Sequence, residues 1–377
     1  MEKIIIGGLL SYIITLLAIP AIIQIAKMKK LYDLPDDRKV HATPVPSLGG
    51  VGIFAGFLIA FLLLSDLAPR GHSFPFYIAA FVVVFFFGVK DDILVITPLK
   101  KFLGQLAVAI ILMYKSQLLI DNMHGFLNIG IIPPVFSYPL TMFTIIVVMN
   151  SFNLIDGVDG LAASIGFITC TLFSLFFYLN NDWLFALMGI SMSGALLAFL
   201  RFNFAPARIF MGDTGAMLLG LVNAILVIHF IKTAEGSNIL PVYAAPAMGF
   251  GILLLPLLDT LRVFGIRIFN KRSPFSADRN HLHHMLLDRG YSHKKITLCL
   301  SVVSILFIVL SYAALPLGTT KVILAQIILF FSAIFFLYFA NIRQQKKNAI
   351  AIGAEDPENF IILTANKANT IAAVSEK

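Results

Sequence analysis

Eleven apolar runs follow one another along this chain, at about residues 3–26, 50–65, 74–90, 102–120, 134–150, 161–180, 183–200, 212–231, 239–261, 296–315 and 321–341. The hydrocarbon core of a bilayer takes about 20 apolar helical residues to cross. Lipid offers no partner to an unpaired peptide group, so runs of this kind form transmembrane helices and little else. Composition agrees. Of the 377 residues 59% are hydrophobic and 13% charged, and the mean hydropathy is +0.90; soluble domains carry about a quarter charged residues. The expected fold is an all-α polytopic membrane protein of about eleven transmembrane helices. The run at 134–150 is short and carries prolines. The first run is too long for a signal-peptide core and lacks a small-residue cleavage site, so it reads as a retained span. Residues 1–345 make one transmembrane domain in this reading. The stretch 346–377, rich in Ala, Asn and Glu, makes a flexible cytoplasmic tail.

The net charge of +8 would suggest nucleic acid on a soluble protein. Here it follows the positive-inside rule, and no nucleic-acid partner is expected. If the loop after the first run is cytoplasmic, all but five of the 28 Lys and Arg residues fall on that side, the five being Lys3, Arg70, Lys115, Lys232 and Lys321. The expected orientation is N-out, C-in. Cys170 and Cys299 lie within apolar runs without zinc or redox spacing and read as small core residues. Gly52 and Gly56 form a GxxxG, a weak helix-packing signal.

Every dense polar cluster falls on the side read as cytoplasmic: "DLPDDRKVHATPVPSLGG" (33–50), "VKDDILVITPLKK" (89–101), "NSFNLIDGVDG" (150–160), "RFNFAPARIFMGDTG" (201–215) and "NKRSPFSADRNHLHHMLLDRG" (270–290). Asp91 and Asp92 either mark a helix boundary or serve a cation or proton transfer. Neighbours on a helix point about 100° apart, so at most one of them carries the chemistry directly. Asp156 and Asp159, at i and i+3, share a helical face, with Asn153 a turn earlier, and acids at a membrane edge are functional candidates by default. Asp213 opens a helix, where it also suits an N-cap, but Gly212 and Gly215 beside it would let a metal–phosphate pair approach the backbone. His281, His283 and His284 match no zinc spacing. With Arg279 they suit pyrophosphate oxygens. Lys100 and Lys101 serve either phosphate or topology. Together these clusters describe a cytosol-facing pocket with acids for a divalent cation and bases for phosphates.

The segments "VKDDI", "NSFNLIDGVDGLA", "RIFMGDTGA" and "DRNHLHHMLLDRGYS", in this order over roughly residues 1–345, resemble the polyprenyl-phosphate N-acetylhexosamine-1-phosphate transferases. The H-x-H-H arrangement and the eleven runs are most similar to the branch that uses UDP-N-acetylglucosamine. "ATPVPSLGG" only loosely matches the Thr-Pro-Thr-Met-Gly-Gly stretch of the MurNAc-pentapeptide branch. The resemblance implies transfer of N-acetylglucosamine 1-phosphate from UDP-GlcNAc to undecaprenyl phosphate with release of UMP and with Mg²⁺ or Mn²⁺ as cofactor. It implies a bacterial inner-membrane enzyme in the lipid bilayer, acting at the first membrane step of a cell-envelope glycan, and a homodimer is compatible with it. By the same resemblance Asp213 and Asp92 bind metal, while Asp91, Asp92, Asp156, Asp159 and His281 are catalytic. Lys100, Lys101, Asn153, Phe210, Arg279, His283 and His284 bind substrate, Phe210 by stacking on uracil. The rival from another class is a transporter of a phosphorylated solute, which would place ionisable residues near the bilayer midplane with access from both sides.

Overall fold

The computed structural model describes residues 2–31, 45–65, 73–94, 96–234, 237, 241–273 and 280–351. Arg279, most of the 33–50 loop and the tail from 352 lie outside them. Among the described residues all regular structure is helical, apart from isolated bridges such as Asn122 with Ile131.

The long helices are α1 (Glu2–Lys29), α2 (Gly49–Leu64), α3 (Phe74–Leu94), α4 (Pro98–Lys115), α5 (Pro134–Ile155), α6 (Leu161–Leu179), α7 (Trp183–Asn203), α8 (Gly212–Thr233), α9 (Ala245–Phe269), α11 (His293–Ala313) and α12 (Thr319–Ala351). The short α10 (Leu282–Leu287) sits between α9 and α11. Each long helix corresponds to one apolar run. Seven of them (α1, α5, α6, α7, α8, α11 and α12) are long and apolar enough to cross a membrane.

Two boundaries differ from the sequence expectation in ways that matter. The 102–120 run leaves the helix at Lys115, and residues 117–132 form a looped hairpin with positive φ at Gln117, His124, Leu127 and Asn128. Conversely, α9 continues past residue 261 through Arg262 and Arg267 to Phe269, so its last two turns carry charge. α12 likewise runs beyond 345, to Ala351.

Burial grades from the centre outward. In α8, 89% of the most apolar stretch is buried, against 22% in α1 and α12. α3, α5, α2 and α6 pack around α8. α12 instead exposes Ile328, Phe335, Phe336 and Tyr338, an apolar face that suits lipid rather than water. Cys299 is likewise exposed on α11, which corrects the expectation of a core position; Cys170 is buried.

With lipid outside, helices gain little from apolar burial against one another and instead pack through small residues. The α1–α7 seam shows this: a Cβ at Gly194 would collide with the backbone of Gly8, and Ser11 Oγ donates to the Ser191 carbonyl at 2.6 Å. Gly52 and Gly56 of the GxxxG face Ile19 and Thr15 of α1.

Alternate connections meet at opposite ends. At one end, the residues before α2 pair with those before α8 through Gly49 N–H to the Phe210 carbonyl, at 2.9 Å. The α5–α6 turn there touches the α7–α8 loop through Asp159 and Ala207. At the other end, Leu127 N–H meets Thr320 Oγ1 at 2.8 Å, and His229 meets Asp182 at 2.7 Å. The described parts of the polar motifs read from the sequence lie at the first end.

Candidate active site

Asp91 and Asp92 end α3 and point different ways, as the helical geometry requires. Asp91 is buried. One oxygen accepts the Ile96 N–H at 2.8 Å, closing the turn into α4, and the other lies 3.2 Å from Lys101 Nζ. Asp92 turns instead to the start of α8. Its Oδ1 accepts the Asp213 N–H at 2.6 Å. Its Oδ2 accepts the Thr214 N–H at 3.1 Å and the Thr214 hydroxyl at 2.5 Å. A helix start leaves N–H groups without intrahelical partners and favours negative charge. Asp92 supplies that cap from a neighbouring helix.

Asp213 therefore does not cap α8 with its own side chain. Gly212 has φ of +71°, and a Cβ there would lie 2.7 Å from the Asp92 carboxylate, so the glycine of "MGD" permits both the turn and the approach. Freed from capping, the Asp213 side chain meets Lys101 in a close ion pair and accepts Asn153 Nδ2 at 2.5 Å. Lys101 Nζ also lies 3.4 Å from Asn153 Oδ1. One ammonium group thus bridges carboxylates from α3 and α8. Lys100, one residue away, is exposed.

These groups form one wall of a cavity of about 250 Å³. Its floor holds the amide pair Gln105–Asn150, with Asn150 Nδ2 donating to Gln105 Oε1 at 2.9 Å. Pro98, Phe102, Leu154 and Phe264 give it an apolar side, and Arg267 of α9 stands in the wall as well. A cavity with acids, two cations and an apolar flank suits a phosphate-headed amphiphile.

Asp156 follows the end of α5. Burial, and then the charges of Asp213, Asp92 and Asp159, hold its carboxyl well above the usual carboxylate range. Asp159 has a different surrounding: one oxygen accepts the Ala207 N–H at 2.9 Å, the other lies 3.2 Å from His293 Nδ1, and its carbonyl accepts Thr297 Oγ1 at 2.8 Å. Asp159 thereby ties the α5–α6 turn to the α7–α8 loop and to α11. The i, i+3 reading put Asp156 and Asp159 on one helical face. The chain leaves the helix at Ile155, and Gly160, at φ +74°, starts α6, so the two acids face different partners.

His281 precedes α10, which carries His283 and His284, and α9 holds His281 in place. Asp259 accepts His281 Nδ1 at 2.9 Å, Arg262 Nη2 at 2.8 Å and the Leu282 N–H at 3.1 Å. His283 is buried against Gly157, where a Cβ would strike its ring. Burial, with His284 and His281 beside it, pushes its pKa well below the usual imidazole value. His281 and His283 stack with ring centres 5.7 Å apart. Phe210 is half-buried and is fixed through its backbone: its N–H donates to the Pro46 carbonyl at 2.7 Å.

The structure thus gathers Asp91, Lys101, Asn153 and Asp213 around one cavity. Asp92 sits behind Asp213, Asp159 and Phe210 in the loop framework, and Lys100 outside. Sequence reasoning missed Gln105, Asn150, Phe264, Arg267 and Asp259. Asp259 had a signal, a carboxylate inside an apolar run; Arg267 was counted only as a topology charge.

Among the described residues no three His, Cys, Asp or Glu groups converge as a ready-made metal cage. Mg²⁺ needs none, since it takes one or two carboxylates and completes its shell with water and substrate phosphate. Asp213 and Asp91 are hard oxygen donors already holding one cation, the Lys101 ammonium, so the residues fit such an ion. Asp92, expected as a ligand, has both oxygens engaged by α8.

Residues 74–231, which carry α3 to α8 with all the acids of this wall, match the model of glycosyl transferase family 4. A probable undecaprenyl-phosphate N-acetylglucosaminyl 1-phosphate transferase of Bacillus subtilis is 30% identical over 91% of this chain and 92% of its own length. The chain belongs to this family. A decaprenyl-phosphate N-acetylglucosaminephosphotransferase of Mycobacterium leprae is 32% identical over 77% of this chain and 78% of its own. An undecaprenyl-phosphate alpha-N-acetylglucosaminyl 1-phosphate transferase of Escherichia coli K12 is 27% identical, over 72% and 73%. Within glycosyl transferase family 4 the chain falls in this branch: it is a membrane phosphotransferase.

Proposed function

We propose that this glycosyl transferase family 4 enzyme transfers N-acetylglucosamine 1-phosphate from UDP-GlcNAc to undecaprenyl phosphate, giving undecaprenyl-pyrophosphoryl-GlcNAc and UMP. The observation that carries this reading is the cation bridge between Asp91 and Asp213 in the wall of a cavity with an apolar flank. The named relatives supply the substrate class. In this reading all eleven long helices cross the membrane, N-out and C-in. The cavity opens to the cytoplasm of a bacterial cell at the inner membrane, where nucleotide sugars are held.

The bond made joins a lipid-phosphate oxygen to the β-phosphorus of the nucleotide. The bond broken links that phosphorus to the bridging oxygen, which leaves on UMP. A phosphate monoester has its second pKa at about 6, so at neutral pH the nucleophile is mostly dianionic without help. The obstacle is bringing two anions together. A divalent ion bound on Asp213 and Asp91 would neutralise and orient phosphate oxygens. Lys101 and Arg267 add fixed positive charge on either side, and Pro98, Phe102 and Phe264 exclude water. Asn153 holds Asp213 in register.

The test is transfer of label from radioactive UDP-sugars into undecaprenyl phosphate by the purified protein, with UMP release measured in parallel. Transfer from UDP-GlcNAc supports the proposal. Transfer from UDP-MurNAc-pentapeptide or another UDP-sugar alone changes the donor. No transfer from any donor by folded protein overturns it and revives the transporter.

A further inference from the structure

Asp259 lies outside the stretch matched by the family model, inside a helix, and takes part in none of the steps above. It is nonetheless a heavily engaged carboxylate. On α9 it accepts Arg262 Nη2 at 2.8 Å, His281 Nδ1 at 2.9 Å, and the Leu282 N–H at 3.1 and 3.2 Å. Arg262 reaches on to the Asn280 carbonyl at 2.5 Å. Two residues of α9 thus hold 280–282, where the chain returns to the site and α10 begins. Asp259 is 4% exposed and His281 4%.

A carboxylate accepts only, so His281 must carry a proton on Nδ1. In the neutral ring Nε2 is then an acceptor, and it lies 3.5 Å from the Arg267 guanidinium, in the cavity wall. Arg267 is 2% exposed and stands about two turns beyond Asp259 on the same helix. The order Asp259, His281, Arg267 runs from the interior of α9 to the cavity.

We propose that Asp259 is a positioning residue for the transfer reaction: it holds the His281 proton on Nδ1, so that Nε2 keeps the Arg267 guanidinium aimed into the cavity. This rests on the function proposed above. It adds a task for a residue that touches no substrate and gives the buried His281 a role. An amide in place of the carboxylate can donate to Nδ1. The proton then moves to Nε2 and faces the Arg267 N–H, donor against donor. Loss of the correct histidine tautomer while geometry is kept is a recognised way to lose turnover.

The test uses the full-length protein in detergent with undecaprenyl phosphate and UDP-GlcNAc. Asp259→Asn is expected to lower kcat about 10- to 100-fold, as when a group orienting a functional histidine is removed. KM should change little, because charge stabilisation at the transferring phosphoryl is lost rather than substrate binding. His281→Gln should give a similar loss, and the double variant should be no worse than either single one. The histidine ¹⁵N spectrum of the wild type, with the His281 signal assigned by its absence in His281→Gln, should show the proton on Nδ1. Wild-type kcat in Asp259→Asn, additive losses in the double variant, or an Nε2 proton on wild-type His281 would overturn the proposal. The ¹⁵N arm holds even if Asp259→Asn does not fold. Inactivity of the wild type itself counts against the proposed function, not against this link.

Discussion

The two walls of the cavity are built on opposite electrostatic plans. On the side of α3 and α8, the acids Asp91 and Asp213 share one cation, Lys101, with the Asp92 carboxylate behind them on the start of α8 and Asp156 crowded by the charges of Asp213 and Asp92. On the side of α9 and α10, one acid, Asp259, serves Arg262 and His281, and through His281 meets Arg267. The first wall is short of positive charge and the second has it to spare. A wall of crowded acids stays folded at a cost and gains from a cation; a wall with neutralised acid and projecting guanidinium gains from an anion. A cation–phosphate pair satisfies both at once, and neither wall alone would select it.

Substitutions on the two walls should therefore fail differently. The largest effect is expected from Asp213→Asn, which removes a charge aimed into the cavity while Asp92 still holds the α8 backbone: turnover should fall about 10³-fold, the upper range for losing one preorganised electrostatic group. Its melting midpoint should stay near that of the wild type. Asp156→Asn should stabilise the protein at pH 8 without added divalent ion. The sign follows from its raised pKa: the folded state favours the protonated carboxyl, so stability is full below the unfolded value and is lost as pH rises through the folded one. The amide removes that loss, and a thermal scan should show a midpoint higher by about 2 °C, with the gain shrinking toward pH 5.

On the framework, Asp159→Asn should cost stability first, about 1–3 kcal/mol for charged hydrogen bonds broken between the α5–α6 turn, Ala207 and His293. Denaturation in mixed micelles reads this, and specific activity of the folded fraction should hold within about threefold if the role is framework only. The smallest effect is expected at Lys100→Ala, an exposed position, where kcat should stay within about twofold because an exposed charge is largely screened. Lys101→Ala in the same assay marks the contrast between adjacent lysines.

Much of this was legible in the sequence. The apolar runs located all eleven long helices, because a span must be continuous and lipid leaves no alternative. The four motifs placed the acids at one end, because alternate connections must share a side. Helical geometry also separated Asp91 from Asp92 before their partners were known. What stayed hidden were relations across the bundle. Asp213 at a helix start looked like its own cap, whereas the cap comes from Asp92, 121 positions away. Asp156 and Asp159 looked like one face because the pattern could not show the helix stopping at Ile155. Asp259 and Arg267 were submerged in an apolar run and a charge count, and only packing of α9 against α5 and α11 brings Arg267 to the cavity, with Asp259 behind it.

The account turns on the acid wall being a cation site completed by substrate. The most direct measurement is electron paramagnetic resonance of Mn²⁺ titrated into the purified protein with UDP-GlcNAc present, for the wild type, Asp213→Asn and Asp259→Asn. A bound-ion signal in the wild type that is lost in Asp213→Asn and kept in Asp259→Asn is the predicted result. Equal binding by the wild type and Asp213→Asn, or none by an active wild type, would contradict it.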